Sequence, residues 1–158
     1  MKAVNGVAAT FAGCQISGTL AAGTYSLNAS SAGLVGSSNN MSIVAGGASK
    51  LAFTSEPLGG VNEATNLATE PVVSVEDSNG NTVTSDNGTV ALSIGTYAAG
   101  NGGTNQGTLG CTNTTVNAVA GVATFANCQI TGTAGAGTYS LNAARSGLAT
   151  GSLSLIHI

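Results

Sequence analysis

Three cysteines, Cys14, Cys111 and Cys128, are the most reactive side chains in this sequence. A thiol becomes a nucleophile when a nearby base or cation lowers its pKa. The whole chain offers only Lys2, Lys50, Arg145 and His157 for that task, none of them close in sequence to a cysteine except Lys2. Zinc takes four nitrogen or sulfur ligands, and two cysteines without histidine leave the shell half empty. A disulfide between Cys111 and Cys128, 17 residues apart on either side of a turn-rich stretch, is the expected chemistry. It requires Cα atoms roughly 4.4–6.8 Å apart and implies an oxidising, extracytoplasmic setting. Cys14 is then an unpaired thiol.

Asp77-Ser78-Asn79-Gly80-Asn81 carries side-chain oxygens at alternate positions, as calcium loops do, with Asp86 nearby. The bidentate glutamate that closes an EF-hand loop is missing. Asp77, Asn79, Asn81 and Asp86 are weak calcium candidates, set against a plain hairpin turn centred on Asn-Gly. No other cofactor is implied. Lys50, Glu76 and Asn142 supply the residue types of an isopeptide-forming trio, although Lys50 also suits a linker. Serine and threonine are abundant, but a hydroxyl nucleophile needs a histidine or lysine base. His157 is no credible candidate, and no enzymatic activity is expected.

Composition narrows the classes further. Charged residues are 6% of the 158, against about 25% in an ordinary domain. Three basic residues cannot form a phosphate-reading surface, so nucleic acid is not an expected partner. Residues 3–49 and 87–144 carry no charge at all. Gly, Ser, Thr and Asn nevertheless break every apolar run short of the roughly 18 residues a spanning helix needs. Phe11-Ala12-Gly13-Cys14 near Met1-Lys2 mimics a lipidation signal, but Phe125-Ala126-Asn127-Cys128 repeats it deep in the chain, which marks a strand end. Asn-x-Ser/Thr triplets at Asn28, Asn40, Asn87 and Asn113 are what chance gives at this composition.

An internal duplication organises the whole sequence. Residues 10–34, TFAGCQISGTLAAGTYSLNASSAGL, match residues 124–148, TFANCQITGTAGAGTYSLNAARSGL, at eighteen of 25 positions. The offset is 114 residues, too long for a solenoid rung and suited to whole domains in tandem. The phase of the match makes residues 1–47 the C-terminal part of one unit and 48–152 a complete second unit. Residues 153–158, LSLIHI, match the translation of a common sequencing adapter and are expected to be foreign sequence, with a genuine last strand as the alternative.

Strand signals dominate. Leu51–Thr54, Val72–Glu76, Val90–Ile94, Val119–Phe125, Gln129–Thr131, Thr138–Ala143 and the segment after Gly147 read as strands, with Thr82–Thr84 pairing back across the Asn-Gly turn. Residues 95–108 read as a Gly/Asn-rich loop. Seven or so short strands in about 100 residues indicate an antiparallel β-sandwich. Gly137-Thr138-Tyr139-Ser140-Leu141, repeated as Gly23-Thr24-Tyr25-Ser26-Leu27, fits a tyrosine corner, in which the hydroxyl bonds nearby backbone.

KLAFTSEP (50–57), PVVSVEDSNGNTV (71–83), GTVALSI (88–94), VAGVATFANCQI (119–130) and GTYSLNAARSGL (137–148) together resemble bacterial Ig-like repeats of the invasin/intimin-like kind. The resemblance covers 48–152 and, as a half unit, residues 4–47. It implies an all-β, antiparallel Ig-like sandwich in tandem repeat, with a truncated N-terminal half repeat. It also implies a structural spacer in a large bacterial cell-surface or secreted protein that supports adhesion. The expected partners are neighbouring repeats of the same chain, with a surface glycan or host protein as a further possibility. The alternative is an adhesive module binding carbohydrate or protein through the 95–108 loop, where Tyr97 is the only aromatic residue.

Overall fold

The computed structural model describes residues 10–57, 65–100, 106–131 and 136–157. Every regular element among them is a strand. In chain order these are β1 (Gly23–Ser31), β2 (Leu34–Ile43), β3 (Lys50–Ser55), β4 (Val72–Glu76), β5 (Thr89–Ala99), β6 (Thr108–Gly110), β7 (Thr115–Asn117), β8 (Val122–Thr124), β9 (Gln129–Thr131), β10 (Gly137–Ala144) and β11 (Gly151–His157). The low aromatic and high Gly, Ser and Thr content leaves no helical apolar stripe to bury. Alternating Val, Ile and Leu favours pleated surfaces instead.

Two antiparallel sheets face one core. One is β3-β4-β8 and the other β11-β10-β5-β7, with a short β6-β9 ribbon beside them. Val73 and Val75 on β4, Leu51 on β3 and Ala123 on β8 meet Val90 and Leu92 on β5 and Tyr139, Leu141 and Ala143 on β10. Phe125 and Ile130 fill the same cluster from around β8 and β9. A parallel bridge between Lys50 and Ala149 joins the start of β3 to the approach of β11, closing one side. This is a sandwich-like arrangement of all-β layers.

The β7–β8 connection corrects the strand expected over Val119–Phe125, which is broken by a turn at Ala120–Gly121 and leaves only Val122–Thr124 as β8. Ala120 and Gly121 both have positive φ, +50° and +78°, and Val119 and Val122 exchange backbone hydrogen bonds around them. Positive φ at both central residues is what a twisted two-residue hairpin demands. A Cβ on Gly121 would lie 2.6 Å from the Val83 carbonyl oxygen, so only glycine fits there.

Several expectations need correcting. β5 runs from Thr89 to Ala99, so residues 95–99 extend a strand rather than open a loop. Gly95-Thr96-Tyr97-Ala98-Ala99 continues it because its neighbour β10 pairs with it as far as Gly137 opposite Ala99. The turn-rich segment 112–118 contains β7, held against the start of β5. Thr82–Thr84 pairs back across the Asn-Gly turn as expected, through an antiparallel bridge of Thr82 to Glu76 and the Val83 N–H on the Val75 carbonyl, but too briefly to make a strand, since β8 takes the same edge of β4 from Val72 to Ser74. Residues 153–157, whatever their origin, continue β11 opposite β10, with Leu141 facing Leu153 and Thr138 facing His157.

The duplicated segment occupies two environments. In the second copy, β10 lies inside a four-stranded sheet, with Tyr139 and Leu141 fully buried. In the first copy, β1 pairs with β2 alone among the described residues, in a separate two-stranded sheet, and Leu27 is 55% exposed.

Candidate functional site

The disulfide forms as expected between Cys111 and Cys128. β6 and β9 pair with Gly110 opposite Gln129, and the next step of that register sets the two cysteines face to face. The bridge therefore ties neighbouring strands of one ribbon. Its Cα atoms are 4.0 Å apart, below the expected window, since directly opposed antiparallel residues approach about 4.5 Å. Cys128 is buried, and its backbone N–H donates to the Glu70 carboxylate at 3.0 Å. Cys14 is a free, exposed thiol.

The Asp77–Asn81 turn is the most densely bonded polar feature. Asp77 is buried, yet both its carboxylate oxygens accept hydrogen bonds. Oδ1 takes the backbone N–H groups of Asn79 and Asn81, each at 2.9 Å. Oδ2 takes the Gly46 N–H at 2.8 Å and the Asn81 amide at 3.0 Å. The Asn81 side chain also donates to the Leu20 carbonyl and accepts from the Ala22 N–H, both at 2.8 Å. Hydrogen bonds from the Asn81 side chain, then from the Gly46 and Asn81 backbone, hold the Asp77 carboxyl far below the ordinary carboxylate range against a smaller opposing effect of burial. This one turn thus grips the chain just before β1, at residues 20 and 22, and just after β2, at residue 46.

The four calcium candidates are not gathered around one point by what they bond. Asp77, Asn79 and Asn81 share the turn, while Asp86 pairs with Arg145 and accepts the Gly88 N–H. The Arg145 hydrogen bond is the main cause of its lowered pKa. Among the described residues no group of three or more His, Cys, Asp or Glu side chains comes together. Lys50 lies 3.6 Å from Glu76 across β3 and β4. Asn142 sits on β10 between Ser93 and Ser152, in the other sheet. The isopeptide trio is therefore split between layers.

Tyr97 does not form a platform. Its ring packs on Tyr139 with centroids 4.8 Å apart, and its hydroxyl is buried. The loop proposed for ligand contact falls partly on residues 101–105, which lie outside the described residues. The tyrosine corner is seen in the first copy, where the Tyr25 hydroxyl donates to the Ala21 carbonyl at 2.8 Å. The corresponding carbonyl of the second copy, Gly135, lies outside the described residues. Among the described residues no helix is long and apolar enough to cross a membrane.

Sequence reasoning found Asp77 and Asn81 but missed their partners. Those partners are backbone groups of Leu20, Ala22 and Gly46, which leave no trace in residue type. Arg145 as the partner of Asp86 was legible only in that it is the one cation in the C-terminal half. Compared with known proteins, the chain matches no family model, and no curated protein is significantly similar to it.

Proposed function

We propose that this chain is a structural spacer: Ig-like units in tandem within a large bacterial cell-surface or secreted protein, holding an adhesive region away from the cell. The observation that carries the reading is the Asp77–Asn81 clasp. A spacer needs stiff units and a stiff joint, and this turn fixes both chain segments that flank the preceding hairpin. The Ig-like assignment is supported by strand order. With β3, β4 and β8 taken as A, B and E, and β5, β10 and β11 as C, F and G, the neighbour orders A-B-E and C-F-G fit that sandwich, while β7 adds a strand beside β5 and no D strand flanks β8 among the described residues. The Cys111–Cys128 bridge supports an extracytoplasmic location, where disulfides persist. The near absence of charge fits a surface that neighbouring repeats of the same chain can abut.

Small-angle scattering of the full chain tests the joint. The wild type should give a narrow, elongated distance distribution, and Asn81→Ala should broaden it without loss of β content. A glycan and host-protein screen with the same chain should show no saturable binding. A saturable ligand lost on substitution between residues 95 and 108 would replace the spacer reading with the adhesive one.

A further inference from the structure

Asparagine is chemically labile, above all before glycine. The nitrogen of the next residue attacks the asparagine side-chain carbonyl carbon, and a glycine brings no Cβ to crowd that approach. Asn-Gly occurs at residues 5, 79, 87 and 101, of which the first and last pairs lie outside the described residues. The fold treats the other two differently. Asn87 Oδ1 accepts the Ala120 N–H at 3.3 Å, and the Gly88 N–H donates to the Asp86 carboxylate at 2.8 Å. The Gly88 carbonyl accepts the Ala118 N–H, and the Arg145 guanidinium stands where a Gly88 Cβ would go. Both the amide and the attacking nitrogen of this pair are held. Asn79, in contrast, is exposed, and its side-chain amide makes no hydrogen bond among the described residues. Gly80 is exposed too, and one bond holds its nitrogen, from its N–H to the Asp77 carbonyl at 3.1 Å.

We propose that Asn79 is a self-modification site whose deamidation unfastens the Asp77–Asn81 clasp. The Gly80 nitrogen gives its proton to solvent base and bonds to Asn79 Cγ; the Cγ–Nδ2 bond breaks and ammonia leaves. Water then opens the five-membered imide at either carbonyl, leaving aspartate or isoaspartate at position 79. Ring closure requires the Gly80 bond to Asp77 to break, so it proceeds from locally opened turns. The remaining bonds of the clasp set how often the turn opens. The product no longer fits. Asp77 Oδ1 accepts the N–H groups of residues 79 and 81, each at 2.9 Å, and isoaspartate inserts an extra main-chain carbon between them. Either product adds a carboxylate two residues from Asp77, on a turn whose neighbouring cation, Lys50, is already paired with Glu76. Asn81 then loses its hold on Leu20 and Ala22, and Asp77 its hold on Gly46. The modification and the unfastening hold whatever the chain does; only their effect on a spacer's stiffness rests on that reading.

The test ages the full chain in mildly alkaline buffer and maps deamidation by tandem mass spectrometry. In the folded chain Asn79 should react about tenfold or more faster than Asn87, and in urea the two rates should agree within about twofold. Asn81→Ala removes three side-chain bonds of the clasp and should speed the reaction at Asn79 about threefold or more. Hydrogen exchange at the Ala22 and Gly46 N–H groups should quicken as Asn79 reacts. It should stay slow in aged Asn79→Ala, which keeps the N–H of residue 79 but has no amide to lose. Three results would overturn the proposal: Asn87 reacting as fast as Asn79 in the folded chain, an Asn79 rate unmoved by Asn81→Ala, or unchanged Ala22 and Gly46 exchange once Asn79 has reacted. None of these readouts depends on the scattering profile that tests the spacer.

Discussion

Replacing the same leucine in the two copies of GTYSLNA is a matched experiment within one molecule. Leu141 has no exposed surface and packs between Ile94 on β5 and Leu153 on β11. Leu141→Ala removes its apolar contacts and leaves a cavity in a filled core, at a cost of about 3 kcal/mol. A domain of about 100 residues loses roughly 5 °C of Tm per kcal/mol, so its transition should fall by about 15 °C. Leu27 is 55% exposed and stands opposite Asn39 in a sheet outside the main core. Leu27→Ala empties no cavity, so the expected change is within about 0.5 kcal/mol. Thermal and urea unfolding followed by far-ultraviolet circular dichroism measures both variants. A Leu27→Ala loss as large as that of Leu141→Ala would refute the reasoning, because it would mean the first copy is packed in solution as the second is.

The remaining predictions concern the bonds that flank that core. Thiol titration of the unfolded, unreduced chain should count one sulfhydryl, Cys14, and paired Cys111→Ser and Cys128→Ser changes should cost about 3 kcal/mol; a count of three would refute the bridge. Asp77 and Asp86 are both held below the ordinary carboxylate range, so their contribution is full above about pH 4 and is lost as pH falls through their lowered folded values. Urea midpoints measured from pH 7 to pH 2 should stay level and then drop in acid, less steeply in Asp86→Asn, and a decline already under way at pH 6 would contradict the assignment. Calcium against chelator should move Tm by no more than about 1 °C, because N–H donors already occupy both Asp77 oxygens; a large shift abolished by Asp77→Ala would reverse that view.

The strands with strict alternation were legible from residue type. Val72–Glu76 and Gln129–Thr131 lie where the pattern places them, and Thr138–Ala143 is one residue short at each end. Where side chains are small the pattern fades. In Gly95 to Ala99 only Thr96 and Tyr97 favour a strand, and the glycine and alanines around them join it because β10 lies alongside. The Cys111–Cys128 pair was readable from the cysteine count and the repeat, which leaves Cys14 without its counterpart, but the β6–β9 register was not, since β7 and β8 between them join two other sheets. The clasp was half readable. Asp77 and Asn81 announce a turn, but what they hold is main chain from residues 20, 22 and 46, and backbone groups are the same in every residue.

The partnership of β5 with β10 also sets a race during synthesis. β5 ends at Ala99, and β10 is complete only at Ala144, 45 residues later. At 5–20 residues per second that interval is roughly 2–9 s. Throughout it, the finished strand that shares the β10 sequence is β1, already made and, among the described residues, paired along one edge. Hairpins form in about 1–10 μs, so β5 has ample time to settle on the earlier copy. It must then be released when the rightful one emerges. Near-identity between successive units therefore carries a kinetic cost, in which correct assembly waits on the undoing of a pairing made from the same seven residues.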